Sequence, residues 1–191
     1  LGAALFKLGS FEKAEAAYNK ALAATPEFPQ ASYNFGNLLM EVGRYAEAAE
    51  NYGKALIHLP KSPDVLFGLG NAMLKQGRHS KAVEYYEKAI AVRPNHSRSH
   101  NNLGAAVQEL GFRERAAECF KKAAECDPEN SEAWFNLHAM YYWKEDLEIA
   151  TNCLEKALSA SSDNTDARFF LGILRDRQGK TEEANYQFRH L

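Results

Sequence analysis

The 191-residue chain carries residues that could do chemistry, but few of them stand at the spacing that chemistry requires. Gly179-Lys180-Thr181 has the form of the end of a phosphate-binding loop, yet Leu174 stands where the loop's first glycine belongs and no strand pattern precedes it. Gly68-Leu69-Gly70 opens like a dinucleotide fingerprint, with Met73 in the place of its third glycine. His96 and His100 have the i,i+4 spacing that can pinch a metal, but His96 lies ahead of the helix and no third ligand accompanies the pair. Cys119, Cys126 and Cys153 are too few for a disulfide framework, and Cys119 and Cys153 are expected to be small buried hydrophobes. Asn95-His96-Ser97 is a glycosylation sequon that matters only in a secreted chain. No Ser, Thr or Cys has a base and an orienting partner at an interpretable spacing. The expectation is therefore no catalysis, no cofactor and no metal. What does recur is neutral: asparagine amides, each a donor and an acceptor, interleaved with aromatic rings.

The elements that position these amides follow from the glycines and prolines. Pro26, Pro60, Pro94 and Pro128 lie 34 residues apart, and phases can be counted from 1 to 34 with these residues at phase 32. Pro29 and Pro63 then share phase 1. Gly2, Gly36, Gly70, Gly104 and Gly172 share phase 8, and Gly9, Gly43, Gly77, Gly111 and Gly179 share phase 15. Phase 20 is Ala in every copy, from Ala14 to Ala184, and phase 24 reads Tyr18, Tyr52, Tyr86, Phe120, Leu154 and Phe188. Pro suits a first helical turn, and Gly suits the left-handed position that ends a helix. Each copy is thus predicted to be two helices, the first from phase 1 toward the phase 15 glycine and the second ending before the phase 32 proline. Small residues at phases 8 and 20 allow a close crossing, and the ring at phase 24 fills space between hairpins. One hairpin cannot bury its own faces, so the copies must stack. The predicted fold class is all-α, a right-handed solenoid of antiparallel helix pairs. It forms a single array over 1–191, with a partial copy at 1–28, copies at 29–62, 63–96, 97–130 and 131–164, and a partial copy at 165–191.

The pattern resembles the tetratricopeptide repeat (TPR) over the whole chain. Leu103-Gly104, Ala116, Phe120, Ala123 and Pro128 carry it in the fourth copy, and Trp134 and Leu137 supply phases 4 and 7 in the fifth. The fifth copy departs from it at His138, Glu145 and Ser162, so looser packing is expected there. The resemblance implies a non-catalytic protein-interaction scaffold whose first helices line a concave groove with phases 2, 5, 6, 9, 12 and 13. The residues expected to meet a partner protein or peptide there are Tyr33, Asn34, Asn37, Phe67, Asn71, Lys75, Arg98, Asn101, Asn102, Phe135, Asn136 and Tyr142. Phase 6 is similar to the asparagine ladder of O-linked N-acetylglucosamine transferase at Asn34, Asn102 and Asn136 only, because Gly68 and Phe170 interrupt it. The alternative implied is the recruiting arm of a larger enzyme such as a glycosyltransferase.

Other partners are argued against by charge. The carboxylate clamp that holds heat-shock chaperone tails needs three cations, and the corresponding window keeps both amides but none of the cations, with Glu132 repelling a carboxylate. Lys and Arg number 23 against 25 Asp and Glu, so no basic excess points to nucleic acid. No apolar run is long enough to insert in a membrane. A cytoplasmic location is expected from the cysteine usage. Leu1, Leu5 and Leu8 at one end and Phe188 and Leu191 at the other lack polar caps, so the chain is expected to be part of a longer protein and to pair end to end when isolated.

Overall fold

The computed structural model describes all residues 1–191 and contains helices joined by turns, with no strand. The chain divides into two compact units, Leu1–Pro94 and Asn95–Leu191. The first unit holds α1 (Gly2–Lys7), α2 (Phe11–Ala24), α3 (Pro29–Glu41), α4 (Tyr45–His58), α5 (Pro63–Lys75) and α6 (His79–Val92). The second holds α7 (Ser97–Glu109), α8 (Arg113–Cys126), α9 (Ser131–Trp143), α10 (Leu147–Ala160), α11 (Thr165–Arg177) and α12 (Thr181–Arg189). In each unit consecutive helices pair as hairpins, and each second helix packs on the first helix of the next copy.

The predicted punctuation is where the helices stop. Gly43 and Gly77 turn between paired helices at φ of 78° and 70°, in the left-handed region. In the fifth copy Glu145 takes the same turn at 61°, so the glycine is replaced there without changing the path of the chain. The second helices end two residues ahead of Pro26, Pro60, Pro94 and Pro128, because the residue before a proline is pushed out of helical geometry.

The rings at phase 24 explain the glycines at phase 8. A Cβ added to Gly36 would lie 2.6 Å from the Tyr52 ring, and one added to Gly104 would lie 2.6 Å from Phe120. The ring therefore lies across its own hairpin as well as between hairpins. Gly68, outside the two glycine phases, also packs against Tyr52, with an added Cβ 2.9 Å from the ring, and belongs to the same packing unit. Tyr52, Tyr86 and Phe120 are at most 2% exposed, and Ala48, Ala82 and Ala116 are fully buried beside them.

The looser fifth copy expected from the sequence is not found. His138 replaces the phase 8 glycine and is buried, while phase 24 shrinks to Leu154, which is also buried. The larger residue on the first helix goes with a smaller one at phase 24 of the second, and both are buried.

The two units tie their first turns differently. Copies two and three begin on Pro29 and Pro63. Copies four and five begin on Ser97 and Ser131, whose hydroxyls donate to the carbonyls of Ala123 and Ala157, both at 2.8 Å. Each serine also accepts an N–H at 2.9 Å, from Asn130 and Asn164 respectively. These asparagines in turn cap α9 and α11 by accepting from Ala133 and Ala167.

Candidate binding face of the first helices

The amides fall into three groups according to what the fold requires of them. Asn37 and Asn71, at phase 9, accept hydrogen bonds from the buried phenols of Tyr52 and Tyr86 at 2.7 and 2.8 Å. A buried phenol without a partner is costly, so these two amides have a structural task whatever else they meet. Burial also holds the Tyr52 phenol well above its ordinary pKa, so it donates as the neutral form. In the first copy Ala3 stands at phase 9, and the buried Tyr18 hydroxyl accordingly has no partner.

The second group is Asn101 alone. Placed at the groove surface by its phase, it is in fact only 2% exposed. Asn136 of the next copy covers it and donates to its side-chain oxygen at 3.0 Å, while Asn101 itself donates to Asn102 at 3.4 Å. The third group, Asn34, Asn102 and Asn136 at phase 6, is half-buried and reaches the surface. Asn136 engages one N–H with Asn101 and keeps its side-chain oxygen open, and the Asn34 side chain makes no hydrogen bond within the chain.

The aromatic residues are partly core. Tyr33 packs on Tyr52 with ring centroids 5.8 Å apart, and Phe67 packs on Tyr86 at 5.9 Å. Phe135 lies 4.8 Å from the His138 ring and 5.9 Å from the ring of Phe170. Phe170 also touches His138 at 5.3 Å and Phe169 at 5.7 Å. Phe169 and Phe170 remain 45% and 39% exposed, so this cluster presents apolar area on α11 that α9 does not cover. His138 bonds the Phe135 carbonyl through Nδ1, and burial lowers its pKa, which keeps it neutral beneath the rings.

The charged candidates are dispersed. Lys75 and Arg98 are exposed, one in each unit. Tyr142 carries the guanidinium of Arg177 over its ring at 5.2 Å, and Arg113 lies over Trp143 at 5.0 Å. Elsewhere, His96 is buried at the start of α7 with Nδ1 on the Ser99 hydroxyl at 2.5 Å. Cys119 and Cys153 are buried, and burial pushes the Cys153 thiol up to about 11, far from a nucleophile's range.

One pairing was legible only in part. A phase 5 residue is met by the phase 6 residue of the following copy: Asn101 by Asn136, and Phe135 by Phe170. Read as an interruption of the asparagine ladder, Phe170 is instead the apolar continuation of the same contact. The matched change at phases 5 and 6, from amide with amide to ring with ring, is the signal that marks it.

Comparison with known proteins agrees with the repeat reading. Models of the tetratricopeptide repeat match residues 33–100 and 73–141, and a TPR repeat model matches residues 2–43. No curated protein sequence matches the chain. Among solved structures, pilF of Pseudomonas aeruginosa is similar with a TM-score of 0.88 at 20% identity, over 98% of this chain and 85% of that one. MamA is similar with a TM-score of 0.76 at 23% identity, over 87% and 97%. YrrB, described as a TPR protein with an unusual peptide-binding site, has a TM-score of 0.68 at 27% identity, over 87% and 86%. With helical hairpins of the predicted length, glycines and rings meeting at the predicted phases, and repeat models matching consecutively from residue 2 to residue 141, the chain belongs to the tetratricopeptide-repeat family.

Proposed function

We propose that the chain is a non-catalytic binding module that holds a segment of a partner protein on the face formed by its first helices. The observation that carries this reading is Asn136. It bridges two copies through one N–H, stands half-buried at the surface, and leaves its carbonyl oxygen for an outside donor. An amide held in place on one side can bind a peptide backbone without paying the full entropy of ordering a free side chain. Asn102 beside it reaches the same surface with its oxygen already accepting from Asn101, and Asn34 offers an amide within the Leu1–Pro94 unit. YrrB, a structural neighbour, is described as binding peptide, which fits the proposed use of this fold. Mixed charge on the first helices of both units, with Asp64, Glu109, Glu132, Asp166 and Asp176 against Lys75, Arg98 and Arg177, argues for a peptide rather than for a phosphate backbone.

The test is affinity capture with immobilised protein, read by mass spectrometry. Asn102→Ala/Asn136→Ala should weaken partner capture by about 1–3 kcal/mol, from the hydrogen bonds lost. Asn185→Ala, an exposed asparagine on α12, should leave capture unchanged. Equal capture by wild type and the double variant would exclude the first-helix face as the binding surface.

A further inference from the structure

Within the Asn95–Leu191 unit, the first-helix face changes character over a short distance. Asn102, Asn101 and Asn136 form a continuous amide step, bonded at 3.4 and 3.0 Å. Phe135 and Phe170 follow immediately as an apolar step, their centroids 5.9 Å apart above the buried, neutral His138. Glu132 stands three residues before Phe135 on α9, and Asp166 stands four residues before Phe170 on α11. Side chains at those separations share one helical face, with Cβ atoms about 5–6 Å apart. Both carboxylates are exposed and neither takes part in an ion pair. The cations of α11 are engaged elsewhere: Arg168 donates to the Ser162 carbonyl, Arg175 pairs with Glu155 and Glu183, and Arg177, about 16 Å along the helix from Asp166, lies over Tyr142. Arg98 on α7 is the one cation of this unit at the phase of Glu132 and Asp166.

We propose that this unit selects a partner segment in which an aromatic or large aliphatic side chain is followed or preceded, within two or three residues, by Lys or Arg. The inference rests on the peptide-binding reading above and names the class of peptide. The apolar side chain lies on Phe135 and Phe170, where its burial removes ring area that water now covers. Asn102 and Asn136 take the peptide backbone beside it. The basic residue meets Glu132 and Asp166, two unpaired carboxylates that an acidic or neutral segment would leave without a partner. The spacing follows from geometry. One helical turn between ring and carboxylate is about 5–6 Å, which an extended chain rising about 3.3 Å per residue crosses in two residues.

The experiment is selection of random displayed dodecapeptides on the intact chain, followed by fluorescence polarisation with the enriched sequences. The inference predicts enrichment of an aromatic or Leu, Ile or Met residue within three positions of Lys or Arg. Glu132→Gln/Asp166→Asn should weaken the enriched peptides by roughly 3- to 10-fold at low salt, and the difference should shrink as salt is raised, as expected for exposed ion pairs. Phe170→Asn places at phase 6 the residue that copies four and five already carry there, so the repeat should fold, as circular dichroism would verify. That variant should lose the apolar preference. Enriched peptides that depend on Asn102 and Asn136 but carry no basic residue would overturn this inference and leave the binding face standing. Peptides indifferent to Asn102→Ala/Asn136→Ala, or no enrichment at all, would overturn the binding face and the inference with it.

Discussion

In residues 1–94 the ring that closes a complete hairpin is a tyrosine, and its buried phenol donates to an asparagine one helix away: Tyr52 to Asn37 and Tyr86 to Asn71. In residues 95–191 the same phase holds Phe120, Leu154 and Phe188, none with a hydroxyl, and phase 9 holds Ala105, Ala139 and Ile173, none with an amide. The asparagines within the first helices of this second unit stand at phases 5 and 6 and bond to one another. The two units place similar residue types on similar helices, yet give them different tasks. In the first, most amides serve the core; in the second, they serve neighbouring copies and the surface. An asparagine on a first helix is therefore a candidate for binding only when it reaches the surface and no buried hydroxyl lies beneath it.

The sharpest way to break this comparison is at the hairpin crossing of the fifth copy. Leu154→Phe alone should force a ring onto buried His138, at a cost of about 3 kcal/mol, the upper range for overpacking. His138→Gly/Leu154→Phe restores the pairing of copies two to four and should recover most of that loss. Urea unfolding of the single and double variants measures the coupling. Strictly additive effects would mean that His138 and Leu154 do not compensate each other.

A smaller effect is expected at the tyrosine–asparagine pairs. Asn37→Ala should destabilise by about 1–3 kcal/mol because it strands the Tyr52 phenol, whereas adding Asn37→Ala to a Tyr52→Phe background should cost much less. Thermal melts of the four proteins provide the cycle. If Asn37→Ala costs the same in both backgrounds, the amide has no structural task and belongs with the surface group.

The smallest effect concerns Glu145, which holds the left-handed turn that glycine holds at Gly43, Gly77 and Gly111. Glu145→Gly should stabilise by about 0.5–1 kcal/mol, since glycine relieves the left-handed penalty but loses more chain entropy on folding. A lower melting temperature for this variant would show that the Glu145 side chain contributes more than its backbone costs.

The repeat, its helix boundaries and its turn glycines were legible because backbone geometry restricts the residues at phases 1, 15 and 32, whatever the neighbours. The close crossings were legible from phase 8 for the same steric reason. The tasks of the individual amides were not. Asn37 and Asn136 are the same residue on the same kind of helix, and only the phenol beneath one and the neighbouring asparagine beside the other separate them. Those contacts join residues 15 and 35 positions apart, beyond the reach of a single helix's periodicity. The burial of His138 together with Leu154 was hidden for a related reason, because His138 alone reads as a departure from the repeat.

The side-chain amide resonances in a 15N-resolved NMR titration test the central claim most directly. With a display-selected peptide added, the account predicts that the signals of Asn102 and Asn136 move progressively to saturation while those of Asn37 and Asn71 stay in place, bound to their phenols. Shifts confined to Asn37 and Asn71, or saturation by peptide with none of the four moving, would contradict it.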